Sequence, residues 1–222
     1  VSPTATKRNR DDYLDRIAGL VFGDNPKDGI VRGNVFLHPL LRIGLEFPEG
    51  WDVINSPDAV MAREPGTEHY MVLQEVEQPR LLRQGSGGRG GRSIGDAAVA
   101  AMREAGYSVV DGRIDKINGQ DAHVGLYRGT AKGAGKVLMR AAHVAVGRQL
   151  YVVAGFAPEA EFTLVDREVT PSIQTFRSLT AAEASRVRPN KVDFYVVRQG
   201  DSWQSIAVRQ GKNIVNAAVL DA

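Results

Sequence analysis

The chain of 222 residues contains no cysteine. This absence excludes disulfide bonds, thiolate metal ligands and a cysteine nucleophile. Neither sign of charge dominates, because 28 Lys and Arg residues oppose 26 Asp and Glu residues. We therefore expect neither nucleic acid nor an anionic membrane surface as the main partner. No apolar run approaches the roughly 20 residues of a membrane-spanning helix, so none is expected.

The motifs that usually identify an enzyme are also missing. None of the four histidines has metal-binding spacing to another, and no His-Glu-x-x-His sequence occurs. The chain lacks the S-x-x-K and Walker motifs, and its carboxylates form no recognisable pair. His123 and His143 alternate with strand residues, which predicts that they face solvent or a neighbouring strand. The sequence thus predicts no catalytic residue, metal site or cofactor in this chain.

A glycine-rich segment is the one weak match to a phosphate-binding pattern. Gly85, Gly87 and Gly90 fit G-x-G-x-x-G and precede a predicted helix. A dinucleotide site needs a strand that runs directly into the glycines, whereas residues 79–84 intervene here. The segment also carries four arginines, but it lacks the interleaved aromatic residues of RNA-binding tracts. We interpret it as a surface loop.

Hydrophobic periodicity predicts both helices and strands. A helix is expected over 94–105, because its apolar residues form one stripe, Ser93 and Asp96 suit its start, and Gly106 suits its end. Alternation and turn residues predict strands at 41–47, 51–54, 59–62 and 70–76, followed by a meander over 107–156. Its strongest hairpin signal is Asn118-Gly119. The short connections of the meander require antiparallel strands.

A second helix is predicted over 162–179, which Pro171 must either kink or restart with Thr170 as the new cap. The order of elements predicts an α+β fold, with an antiparallel sheet flanked by helices. We expect three parts. Residues 1–29 form a polar lead with a docking helix at 11–22, residues 30–183 form the α+β domain, and residues 184–222 form a linker (184–191) and a small tail.

The tail carries a specific pattern over 194–207: an aromatic strand, a tight turn at Gly200-Asp201, and a helix capped by Ser202. This order resembles the opening half of a LysM module. LysM modules bind glycans that contain N-acetylglucosamine, so the resemblance implies glycan contacts at Gly200, Asp201, Ser202 and Trp203, and peptidoglycan as a partner. No second strand follows in the sequence, and a packing or docking appendage of LysM-like shape is an equally good interpretation.

Three further segments form a recognisable series: 12–24 (DYLDRIAGLVFGD), 33–39 (GNVFLHP) and 47–51 (FPEGW). This series resembles the region that follows the catalytic domain in exported bacterial zinc metallopeptidases of the M48 family. The order of elements over 30–180 also resembles the PsbP/Mog1 type of fold, an antiparallel sheet between helices. That fold serves binding and accessory roles and implies no single chemistry.

The resemblance implies a non-catalytic accessory region that positions a metallopeptidase or its substrate, in the periplasm or otherwise exported at the cell envelope. Zinc is expected only in a catalytic domain upstream, and Val1 in place of Met suggests such an upstream part. The expected partners are that domain or a second copy of the chain. One alternative is a free-standing envelope protein that recognises peptidoglycan through its tail. Another is an unrecognised hydrolase with Gly85–Arg92 as a lid.

Overall fold

The structure, a computed structural model, describes residues 16, 21–22, 25–76, 93–191 and 195–210. The chain divides into two compact units, Pro26–Val187 and the pair of segments Val1–Asn25 and Arg188–Ala222. The glycine-rich segment and nearly all of the predicted helix at 11–22 lie outside the described residues. At the end of that prediction, Val21 and Phe22 form a strand instead of a helical turn.

The described elements are numbered in chain order. The strands are β1 (Val21–Phe22), β2 (Ile30–Arg32), β3 (Val35–His38), β4 (Ile43–Glu46), β5 (Asp52–Asn55), β6 (Val60–Arg63), β7 (Tyr70–Glu75), β8 (Ser108–Ile117), β9 (Gln120–Ala131), β10 (Gly135–Val146), β11 (Gln149–Pro158), β12 (Arg177–Ser178) and β13 (Asn190–Lys191). The helices are α1 (Ile94–Glu104), α2 (Phe162–Gln174), α3 (Ala181–Arg186) and α4 (Trp203–Gln210). No helix in the described part of the chain is long and apolar enough to cross a membrane.

A seven-stranded antiparallel sheet in the order β5-β6-β7-β11-β10-β9-β8 forms the body of the larger unit. The predicted α+β class and the antiparallel meander are therefore confirmed. At the predicted hairpin, Asn118 and Gly119 both have positive φ, 47° and 83°, as a two-residue turn between twisted strands requires. The Asn118 side-chain amide also donates to the carbonyl oxygens of Gln174 (2.8 Å) and Phe176 (2.9 Å), at the end of α2.

The two long helices cover opposite faces of this sheet. On one face α2 buries Val165, Val169 and Ile173 in the main hydrophobic core, together with apolar residues of the sheet. On the other face α1 contributes Met102 to a smaller cluster around Tyr127. The reciprocal cap of α1 that the sequence predicts is present, because Ser93 and Asp96 each accept the other's backbone N–H.

A second, four-stranded sheet in the order β12-β4-β3-β2 was not predicted. Its strand β12 occupies residues that the sequence assigned to the end of the second helix, so the prediction of helix to Leu179 is wrong. The helix stops at Gln174 because Thr175 Oγ1 accepts the backbone N–H of Glu46 at 2.8 Å, which brings the following residues alongside β4. Arg177 then pairs with Gly44.

Helix α2 continues through Pro171 without a break in its helical assignment. The alternative in which a new helix starts there is therefore wrong. Thr170 does not act as a cap, since its hydroxyl donates to Asp166 Oδ1 at 2.8 Å, one turn earlier in the same helix.

Both ends of the predicted linker at 184–191 carry secondary structure. Its first residues belong to α3, which Thr180 and Glu183 cap reciprocally. Its last two form β13, which pairs antiparallel with β1 in the smaller unit, with Val21 opposite Lys191. The polar, Pro-containing composition of this segment predicted a spacer, but the backbone of its last two residues pairs with another strand.

Candidate functional site

The predicted glycan-binding turn is described from Tyr195 onward. Gly200 adopts φ 89°, a left-handed conformation that favours glycine. Ser202 caps α4, because its Oγ accepts the backbone N–H of Ser205 at 3.2 Å and its own N–H donates to Ser205 Oγ at 2.9 Å. The turn and the helix that the sequence predicted are therefore present.

Asp201 stabilises this turn through its carboxylate, and its side chain is only 2% exposed. Its Oδ2 accepts the hydroxyl of Tyr195 (2.8 Å) and the backbone N–H of Arg198 (2.8 Å), while Oδ1 accepts Arg209 Nη1 (2.8 Å). These contacts lower the pKa of Asp201, and the hydrogen bond from the Arg198 backbone has the largest effect. The carboxylate is thus engaged within the chain.

The same contact accounts for the absence of the predicted aromatic strand at residues 195–199. The Arg198 N–H is directed to a carboxylate and does not enter a strand ladder. Of the four predicted contact residues, Trp203 presents the largest apolar surface, with 42% of the residue exposed. The arrangement can offer an aromatic ring beside polar turn groups, which suits a sugar ring.

Two of the three segments that resemble the metallopeptidase region lie side by side. Segment 33–39 forms the β2–β3 turn and β3, and segment 47–51 follows β4, which pairs with β3. Asn34 joins them, because its Nδ2 donates to the Phe47 carbonyl at 2.6 Å and its own carbonyl accepts the Phe47 N–H at 2.8 Å. We call residues 33–51 the motif hairpin. Segment 12–24 lies almost wholly outside the described residues.

Helix α2 closes over the motif hairpin and leaves a cleft of about 470 Å³. Trp51 Nε1 donates to Glu168 Oε2 at 3.2 Å, and Ser172 Oγ donates to the Glu46 carbonyl at 2.5 Å. The lining carries three carboxylates and one guanidinium, so the cleft is acidic. Its lining residues are Asn34, Glu46, Phe47, Pro48, Glu49, Arg167, Glu168, Pro171, Ser172 and Thr175. This concave surface can hold a chain segment, but no nucleophile pairs with a base in it.

A buried histidine that the sequence did not single out lies between two carboxylates. His69 Nδ1 is 2.5 Å from Glu64 Oε2, and its Nε2 is 2.6 Å from Glu161 Oε2. Burial lowers the pKa of His69, but the hydrogen bonds and charges of the two glutamates outweigh it, so the pKa is raised overall. With both ring nitrogens engaged, His69 connects the start of β7 to the start of α2. Glu161 lies 92 residues away in sequence, so no local pattern signals this cluster.

His123 and His143 are buried directly opposite each other on β9 and β10. The alternative in which they face solvent is therefore wrong, and the neighbouring-strand alternative is confirmed. Burial lowers the pKa of both, that of His143 to about 4. Within the described residues, His143 Nδ1 has no hydrogen-bond partner. Both histidines are equidistant from Gly133, which the strand register places at the centre of the connecting turn.

Among the described residues, no group of three or more His, Asp or Glu side chains is arranged to hold a metal ion. The four predicted contact residues of the tail and the motif hairpin belong to different units.

Comparison with known proteins gives distant structural likenesses only. No protein-family model matches the chain, and no curated protein matches it. A cyanobacterial PsbP (CyanoP) from Synechocystis is similar over 71% of this chain and 98% of its own, at 14% identity and a TM-score of 0.46. LpqN, involved in cell envelope biogenesis of Mycobacterium tuberculosis, is similar over 81% of this chain and 100% of its own, at 12% identity and a TM-score of 0.37.

A protein from Bacteroides thetaiotaomicron is similar over 69% of this chain, at 13% identity and a TM-score of 0.44. The chain spans about half of that protein, 51% of its length. A PsbP structure is thus among the neighbours. All these TM-scores are below 0.5, so the likenesses give no basis for transferring a function.

Proposed function

We propose that this chain is a non-catalytic accessory region of an exported, envelope-associated zinc metallopeptidase of the M48 type, which positions the enzyme or its substrate. Zinc and the catalytic residues belong to an upstream domain in this proposal. The PsbP/Mog1-like character of the larger unit and the partial LysM-like character of the tail are parts of the same proposal.

One observation carries it. The two described segments that resemble the metallopeptidase region, separated in sequence by β4, are joined by the paired Asn34–Phe47 hydrogen bonds into a single surface. Helix α2 completes that surface through Trp51 and Glu168. An acidic cleft of this kind suits an extended segment of a substrate or of a neighbouring domain better than it suits chemistry.

The test begins with the reading frame upstream of the Val1 codon, where a His-Glu-x-x-His motif is expected. In the longer protein, Asn34→Ala should lower cleavage of an unfolded substrate several-fold while leaving bound zinc unchanged, because it removes one of the two hydrogen bonds that join the motif segments. Asn55→Ala is the matched control, since it removes a similar side-chain bond, to the Gly29 carbonyl at 3.1 Å, away from the cleft. A signal peptide directly before Val1, or equal loss in both variants, would contradict the proposal.

The tail supports a second candidate, a free-standing envelope protein that recognises peptidoglycan. The observation in its favour is the pairing of a glycine turn at Gly200 with an exposed Trp203 at the start of a capped helix. Aromatic stacking against a sugar ring is the expected source of affinity.

For this candidate we expect Trp203→Ala to abolish most of the retention of the full chain on purified, insoluble peptidoglycan. Val208→Ala is the matched control, because Val208 lies on the same helix and is also exposed. Retention should persist in that control and disappear when residues 195–222 are removed. Retention that is indifferent to both Trp203→Ala and the deletion would reject glycan binding by the tail.

A further inference from the structure

The outer edge of β8 is the longest unpaired backbone edge in the described part of the chain. β8 is a terminal strand of the seven-stranded sheet and runs for ten residues, and among the described residues no strand pairs with its outer side. Nearly all of its side chains are exposed, and Ile114 stands out as an apolar residue that is 61% exposed. Such edges are templates for pairing with another chain.

Hairpin geometry fixes which backbone groups point outward. Ile117 and Gln120 flank the two-residue turn and exchange hydrogen bonds, so the bonded pairs recur at every second residue of β8. The N–H and C=O groups of Gly112, Ile114 and Lys116 therefore face away from β9. Two contacts agree with this assignment: Gly112 N donates to Asp111 Oδ1 at 2.7 Å, and Lys116 N donates to Asp115 Oδ1 at 2.8 Å.

The charges of this edge are complementary to themselves. Arg113 and Asp115 are placed symmetrically on either side of Ile114, and on one strand they form an exposed pair at 3.2 Å. In an antiparallel pairing of two identical strands centred on Ile114, Arg113 of each strand lies opposite the partner's Asp115. Opposite charges at directly facing positions stabilise a strand pair, whereas like charges destabilise it.

We propose that residues 111–117 of β8 form a docking surface for a second copy of this chain, with Ile114 opposite the partner's Ile114. In this register Gly112 lies opposite the partner's Lys116. The backbone groups of Ile114, Gly112 and Lys116 all face outward, so these pairs exchange hydrogen bonds across the two strands. The Arg113 pairs then fall at the positions where facing side chains come closest.

Neighbouring registers are less favourable. A register centred on Arg113 places Arg113 opposite its own copy and Asp111 opposite the partner's Asp115, so like charges face each other. A register centred between Arg113 and Ile114 pairs outward-facing groups with inward-facing ones. A shift that is centred on Gly112 reaches into the irregularity between Val109 and Asp111, where regular pairing of β8 stops. Docking releases the hydrogen bonds that Asp111 and Asp115 make to the following N–H groups, and ladder bonds replace them.

The absence of cysteine permits a direct test with the full chain. Two Ile114 residues in a bonded antiparallel pair have Cα atoms about 5.5 Å apart, which is a separation that a disulfide spans. Under mild oxidation, Ile114→Cys should convert almost completely to a disulfide-linked dimer. Ile54→Cys is the matched control, because Ile54 is similarly exposed, at 65%, on the strand at the opposite end of the sheet, and it should form no disulfide-linked dimer.

Exchanging the charges of Arg113 and Asp115 distinguishes a loss of docking from a loss of folding. Arg113→Asp alone should halve the mass measured by light scattering, because it sets two carboxylates opposite each other, and the double variant R113D/D115R should restore the dimer. A chain that is monomeric at every concentration, or Ile114→Cys cross-linking no faster than Ile54→Cys, overturns the proposal. So does a double variant that folds but stays monomeric. None of these outcomes bears on the proposed accessory function, which rests on the motif hairpin.

Discussion

Acidification from pH 6.5 towards pH 4 is expected to cost the fold about 3 kcal/mol through His143 alone, because its pKa falls from 6.5 to about 4 on burial. Over this interval the unfolded chain binds a proton that the folded chain does not bind. The contribution of the neutral imidazole is therefore complete above pH 6.5 and is lost as the pH falls towards 4. The neighbouring His123, whose charge also lowers the pKa of His143, acts in the same direction.

Urea unfolding across this pH range provides the measurement, and His143→Leu isolates the residue. The variant is expected to lose stability at neutral pH, but the difference in unfolding free energy between neutral and acidic pH should shrink by about 3 kcal/mol. The effect of carboxylates that titrate in both proteins cancels when the changes in unfolding free energy between the two pH values are compared. His69 works in the opposite sense, since its raised pKa stabilises the fold below the unfolded pKa and that contribution is lost as the pH rises. An unchanged pH dependence in His143→Leu would refute the assignment.

Gly155→Ala is expected to destabilise the larger unit by about 1–3 kcal/mol, the usual range for overpacking a core. A Cβ atom at Gly155 would lie 2.5 Å from both γ-carbons of Val169 and 3.0 Å from Met71 Cγ. Because Val169 and Met71 are fully buried, none of these atoms can move into solvent. The missing side chain at this position of β11 is what lets α2 lie close to the sheet.

A double-mutant cycle distinguishes overpacking from a loss of strand flexibility. Val169→Ala removes the two carbons that the new Cβ would meet, and it leaves a cavity when made alone. We expect Gly155→Ala and Val169→Ala together to cost clearly less than the sum of their separate effects, as measured by thermal and urea unfolding. Additive losses would show that the contact with Val169 is not the cause.

Local signals predicted the parts of this fold that depend on neighbouring residues. The capped helix α1, the Asn118-Gly119 hairpin and the antiparallel meander each follow from turn chemistry and periodicity within a short window. The helix after Ser202 follows in the same way. These features were confirmed because no distant residue competes for the backbone groups involved.

Contacts between residues that are distant in sequence caused the differences between the predicted and the observed elements. Thr175 ends α2 by bonding to Glu46, and β12 could not be anticipated without β4 beside it. The tail strand is absent at its described residues because a carboxylate, Asp201, takes the Arg198 N–H. The His69 cluster draws one glutamate from a nearby turn and one from the start of α2. The glycan contacts and the accessory role stay predictions, since they concern molecules outside the chain.

The Asn118-Gly119 turn also bears on the chemical lifetime of the protein. An asparagine before glycine is the sequence most prone to spontaneous deamidation, because the unhindered glycine nitrogen can attack the side-chain amide. Here the Nδ2 of that amide donates to two carbonyl oxygens at the end of α2. A carboxylate in its place could only repel them. Slow deamidation of Asn118 would therefore weaken the contact between the hairpin and α2, without any change in the gene.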